Sequence, residues 1–121
     1  KPDGTLDESF GTLGVALAGF SVGGDHARAP VLLADGRIVT AGFARNQVLQ
    51  LSDKDDFLIT RHLSDGTLDA SFGSGGKLIL DFFGASDGAS ALLLQPDGKL
   101  LVGGLARNGT ANGLGLLRLL P

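Results

Sequence analysis

The chain states nearly the same text twice at one fixed spacing. Lys1-Pro-Asp-Gly-Thr-Leu-Asp-Glu-Ser-Phe-Gly11 returns as Leu63-Ser-Asp-Gly-Thr-Leu-Asp-Ala-Ser-Phe-Gly73. Ala34-Asp-Gly-Arg-Ile-Val39 returns as Pro96-Asp-Gly-Lys-Leu-Leu101, and Ala41-Gly-Phe-Ala-Arg-Asn46 as Gly103-Gly-Leu-Ala-Arg-Asn108. Each pair is offset by 62 residues. A period of this length marks stacked supersecondary units, which restricts the chain to a repeat architecture. The 121 residues divide into repeat 1 over 1–63 and repeat 2 over 64–121.

Each repeat reads as four short strands. In repeat 2 they are Lys77 to Phe83, Ala89 to Gln95, Lys99 to Leu105 and Leu114 to Leu120. Pro96-Asp-Gly98 is a turn with a mechanism: proline sets φ, aspartate bonds the local backbone, and glycine accepts positive φ. The strands are almost continuously apolar, which suits sheets covered on both faces. No segment carries a capped amphipathic helix. Repeat 1 follows the same plan with two departures. Five extra residues fall around Gln47 to Asp56, and Pro30 stands where repeat 2 has Leu92. Proline cannot donate a ladder hydrogen bond, so a bulge or an unpaired stretch is predicted at Pro30.

Short strands in fours, repeated and joined by glycine-rich turns, predict an all-β fold: β-propeller blades, two four-stranded antiparallel blades per chain. Two blades alone leave two apolar faces in water, and exposed surfaces of that size mark interfaces. Pro121 takes the repeat position of Pro2 and Ser64. Head-to-tail association then continues the repeat, and rotation closes it into a ring, unless further repeats of a longer chain complete it. Three copies make about six blades and four copies about eight. The expected partner is therefore the chain itself, as a trimer or tetramer, or those further repeats, with a glycan or protein as a second partner. The chain begins at Lys1 and contains no Met, which fits a processed product or a piece of a longer protein. No signal peptide is visible.

Composition narrows the chemistry. With no Cys there is no disulfide framework and no thiol site. The net charge of −3, without a basic run, argues against nucleic acid and anionic membranes. The apolar runs are too short to insert in a membrane. No P-loop, nucleophile elbow or dinucleotide fingerprint occurs, so no cofactor is expected. His26 and His62 hold non-equivalent positions and lack metal-ligand spacing.

The recurring segments resemble the bacterial delta-60 repeat family. Its members carry Gly-Ser/Thr-Leu-Asp-x-Ser-Phe-Gly, then Gln-Pro-Asp-Gly-Lys-Ile-Val-Val-Ala-Gly, then an apolar strand with Ala-Arg-Tyr. The matching stretches here are Gly66 to Gly73, Gln95 to Gly104 and Leu117-Arg118-Leu119, with Gly4 to Gly11, Asp35 to Gly42 and Thr60-Arg61-His62 in repeat 1. The tyrosine after arginine is absent from both repeats. The resemblance implies a β-propeller from large exported or surface proteins, hence an extracellular or cell-surface location. It implies no catalytic activity.

Four residues stand out as candidate ligand binders: Arg45, Asn46, Arg107 and Asn108. Each pair follows the third strand of its repeat, so a ring displays many copies on one rim. Arginine and asparagine bind carboxylates or hydroxyl-rich ligands, and the competing reading is a turn Asn beside an Arg bonded to its neighbours. Asp3, Asp7, Asp65 and Asp69 are weak candidates for calcium, whose ligands are oxygens in such loops. Their competing role is to bond the N–H groups of their own turns, and no metal is expected. Phe10 and Phe72 read as core plugs between blades. Arg61 and Arg118 lie inside strands and need a partner if buried, a loop aspartate of the adjacent blade being the expected one. The expected function is a structural or interaction module and not an enzyme. The alternative is a lectin-like propeller with sites between blades, although the absence of Trp and Tyr removes the usual sugar platforms. A hydrolase using a central channel is the third reading, and two scattered histidines do not suggest it.

Overall fold

The computed structural model describes residues 1–19, 23–46 and 54–120, with the side chain of Asn46 excepted. Among these residues it contains seven strands and no helix. They are β1 (Asp25–Leu32), β2 (Ile38–Asn46), β3 (Lys54–His62), β4 (Lys77–Leu80), β5 (Gly88–Leu94), β6 (Leu100–Asn108) and β7 (Ala111–Leu119). They form two antiparallel sheets, ordered β1-β2-β3-β4 and β5-β6-β7. Most of the expected five-residue insert lies outside the described residues, and its last part opens β3.

The hairpins form where the turn chemistry puts them. In the first, the Gly36 N–H donates to Leu33 O at 3.0 Å, and Gly36 has φ +87°. The Arg37 N–H donates to Asp35 Oδ1 at 3.0 Å. The second repeats this at Gln95, Asp97, Gly98 and Lys99. A glycine is needed at these two points because L side chains resist positive φ.

Two expectations need correction. The second sheet has three strands, not four, among the described residues. The segment that opens repeat 2 hydrogen-bonds to β3, with Phe57 opposite Leu80 and Thr60 opposite Lys77. The first sheet thus draws its last strand from the following repeat, which leaves the second sheet one strand short. The other correction concerns Pro30, which is paired with Thr40. The register shift falls between Ala27 and Ala29, and an equivalent shift lies between Ala89 and Ala91, where there is no proline. The bulge belongs to the repeat. Pro30 is tolerated because β1 is an edge strand among the described residues, with no ladder partner there on its other side.

The two sheets stack face to face. Val39, Ala41, Phe57 and Ile59 of the first sheet meet Ala89, Leu100 and Val102 of the second in one buried cluster. Alternation along each strand assigns the opposite faces. The outer face of the second sheet carries Leu101, Leu105, Leu114, Leu116 and Arg118. Of these, Leu114 is 80 % exposed and Leu116 57 %. The two stacked faces are not repeat equivalents of each other. The buried Phe57 and Ile59 correspond to the exposed Leu114 and Leu116. The front of one sheet therefore packs on the back of the next, and the front of the second sheet has no neighbour among the described residues.

Candidate functional site

The four candidate rim residues are placed at the ends of β2 and β6, and they are not equivalent in use. The Arg45 guanidinium reaches Asp55 Oδ1 at 3.1 Å, directly across the β2–β3 ladder. Both groups are partly exposed, so the pair contributes under about 1 kcal/mol. The Asn46 side chain lies outside the described residues. Arg107 donates from Nε to Asn112 Oδ1 at 3.0 Å, a neutral partner. Its backbone N–H donates to Asp87 Oδ1 at 2.8 Å. Asn108 is exposed and pairs with Ala111 across a turn.

Arg107 borders a cleft between the sheets, about 270 Å³ in volume, with Arg28, Phe43, Asp55 and Asp87. The Arg28 guanidinium sits 4.9 Å from the centre of the Phe43 ring and donates to Ser90 Oγ at 3.2 Å. A guanidinium over an aromatic face, as Arg28 lies over Phe43, can bind a carboxylate or a hydroxyl-rich molecule. Neither histidine lines this cleft. His62 uses both ring nitrogens structurally, against Thr60 Oγ1 and Gly66 O, each at 3.0 Å.

Asp87 is the residue that sequence reasoning missed. It is buried, and it ties the sheets together. Its Oδ2 accepts from the Phe82 N–H at 2.8 Å, its Oδ1 accepts from Arg107, and its own N–H donates to Asp55 O. Asp25 stands 62 residues earlier, so the repeat itself carried the signal. Carboxylate oxygens of Asp56, Asp81 and Asp87 lie within 4.8 Å of one another. They are hard oxygen donors of the type calcium takes, but both Asp87 oxygens already accept backbone N–H groups. This cluster includes none of the four aspartates singled out in the sequence.

Those four all make the same local turn. Each carboxylate accepts from the N–H and the hydroxyl two residues on: Asp3 from Thr5, Asp7 from Ser9, Asp65 from Thr67, Asp69 from Ser71. These bonds favour the ionised form and hold Asp3, Asp7 and Asp65 below the usual carboxylate range. Asp69 goes further. Its Oδ2 accepts from Arg61 Nε at 2.8 Å, and the Arg61 Nη2 donates to Ser71 Oγ at 3.0 Å. Phe72 covers the same guanidinium, its ring centre 4.8 Å away. The Ser71 hydroxyl and N–H, with Arg61, bring Asp69 down to about 2. The loop from Ser64 to Gly76 thereby closes around Arg61.

A pH dependence follows. A carboxylate held below its unfolded value of about 3.9 stabilises the fold above that pH. That stability is lost as pH falls toward about 2. Denaturant unfolding over a pH series should show Asp69→Asn losing less stability than the parent across that window. Equal losses in both chains would remove Asp69 from the acid response.

A family model described as "Domain of unknown function (DUF5122) beta-propeller" matches residues 33–72 and 95–121, more than half of the chain. The chain belongs to this family. No curated protein and no solved structure matches it. The DUF5122 match begins at the hairpin turn in both repeats, and in the first it runs on through Phe72. The family's unit therefore includes the loop around Arg61 together with the strands before it. Among the described residues, no helix is long and apolar enough to cross a membrane.

Proposed function

We propose that this DUF5122 chain is a non-catalytic structural or interaction module of the delta-60 repeat type. Its two blades associate head-to-tail into a closed ring of three or four copies, outside the cell or on its surface. The observation that carries this reading is the asymmetry of the stacked faces. The front of the first sheet is buried on the second, whereas the equivalent front of the second exposes Leu105, Leu114 and Leu116. A front that packs on a back is a heterologous contact, and such contacts propagate until rotation closes them. Leu116→Asp places a charge at the centre of that front. It should reduce the assembly to single chains in sedimentation velocity, with the β-sheet circular dichroism unchanged. A variant that keeps the parent's mass would show that this face is not the contact.

A second reading is carbohydrate binding in the cleft between the sheets. The placement of Arg28, Phe43 and Arg107 around one opening favours it. Glycan-array binding that Arg107→Ala abolishes would support it, and silence across the array would count against it.

A further inference from the structure

The second sheet ends at β7, whose outer edge has no strand partner among the described residues. The first sheet shows what belongs there. Strand β4 pairs with β3, and the loop before β4 closes around Arg61. Arg118 is the counterpart of Arg61, 57 residues on, in β7. It is exposed, and among the described residues it has no carboxylate, hydroxyl or aromatic partner. The counterpart of the Ser64–Gly76 loop is the N-terminal arm, 62 residues earlier.

That arm already has the loop's conformation. The Phe10 N–H donates to Asp7 O at 2.9 Å, as Phe72 does to Asp69 O at 3.0 Å. The Thr12 N–H donates to Val15 O at 2.8 Å, as Ser74 does to Lys77 O at 2.8 Å. Gly11 and Gly73 share positive φ, +59° and +54°. What the arm lacks is its arginine. Among the described residues Asp7 accepts from Ser9 alone, whereas Asp69 also accepts from Arg61. The arm's apolar residues face water as well, Leu13 being 71 % and Leu17 91 % exposed. The arm lies beside the back of the first sheet, where Ala16 to Ala18 line a cavity of about 230 Å³ with Thr40, Leu58, Thr60 and His62.

We propose that a second copy of this chain supplies the missing fourth strand of the β5-β6-β7 sheet. Its residues 15–18 pair antiparallel with β7, and its Asp7, Ser9 and Phe10 close around Arg118. This rests on the head-to-tail reading and specifies its contact. The β3–β4 register, carried over, sets Leu114 opposite Ala18 and Leu116 opposite Ala16 of the second copy. The contact fills every gap at once. The β7 edge gains a ladder, Arg118 gains an ion pair, and Asp7 gains its cation. The second copy's first sheet, which its arm adjoins, is carried onto the exposed leucine front. Strand addition of this kind takes affinity from main-chain hydrogen bonds and specificity from alternate side chains.

The test uses cysteine pairs, because the chain has no Cys of its own. Leu116→Cys with Ala16→Cys brings two Cβ atoms face to face across the ladder, about 4.5–5.5 Å apart. Leu116→Cys with Leu17→Cys is slipped by one residue, which turns the second thiol to the other face. On mild oxidation the first pair should give covalent trimers or tetramers on a non-reducing gel, and the second single chains. Arg118→Glu, in an otherwise unchanged chain, should weaken association about 100-fold through like-charge contact with Asp7. Adding Asp7→Arg in the same chain should restore it. Normal assembly with no cross-link, or equal cross-linking of both pairs, overturns the strand addition and leaves the head-to-tail reading standing. A disulfide within one chain also overturns it. A parent chain that stays single at every concentration overturns both.

Discussion

Phe57→Ala is expected to cost about 3–5 kcal/mol of stability, as deletion of a buried phenylalanine does. Phe57 is fully buried at the middle of the first sheet. Its ring meets Phe82 edge to face, with centres 5.1 Å apart and planes at 70°. Across the stack lies Gly115, where an added Cβ would come 3.3 Å from the tip of the Phe57 ring. A side chain at Gly115 would crowd the ring, which would have to give by a few tenths of an ångström. Urea unfolding measures the loss, which is large against the roughly 5–15 kcal/mol that a domain has in total. Leu114 is the repeat counterpart of Phe57, and it is exposed. In dissociated chains, Leu114→Ala should change stability by less than about 0.5 kcal/mol. Similar losses at Phe57 and Leu114 would contradict the stacking of front on back.

Gly42→Ala and Gly104→Ala are expected to be strongly destabilising, by about 2–3 kcal/mol each or more. Both face a β-bulge on the neighbouring edge strand, at Ala27/Ala29 and Ala89/Ala91. The bulge presses a carbonyl of that strand against the glycine. A Cβ on Gly42 would collide with His26 O, and one on Gly104 with Gly88 O. Both obstacles are backbone, so no rotamer change relieves them. Neither glycine has positive φ, so the penalty is steric and not conformational. At an open strand site the same change would be neutral or stabilising by up to about 1 kcal/mol, through the entropy of the unfolded chain. Thermal unfolding decides the sign. A neutral or stabilised Gly104→Ala would mean that the bulge relaxes freely.

Much of this fold was legible because the repeat and the turns act locally. Asp35-Gly36 and Asp97-Gly98 specify hairpins whichever sheet they join, and both formed. Arg61, read as a strand arginine in need of a loop aspartate, found Asp69. The phase of the repeat was not legible. A periodic text can be divided at any point, and only the pairing of Lys77–Leu80 with β3 shows where one sheet ends. The bulge was misplaced at Pro30 because proline is a conspicuous local signal. The bulge goes with the close approach of two backbones at Gly42, a feature that a glycine inside a strand signals more reliably than a nearby proline. Within the cleft, Arg107 was found by its recurrence with Arg45. Their different partners, Asn112 and Asp55, depend on cross-strand register. Asp87 was passed over because the residues on either side of it differ between the repeats, Gly24 and His26 standing where repeat 2 has Ser86 and Gly88.

The native mass of the unmodified chain, by light scattering after size exclusion, tests the central claim most directly. A front that packs on a back, with a β7 edge unpaired among the described residues and an arm shaped to fill it, predicts one sharp species. Its mass should be three or four times that of a single chain, and it should hold over a wide dilution range. A monodisperse single chain, stable at high concentration with its leucine front in water, would contradict the account.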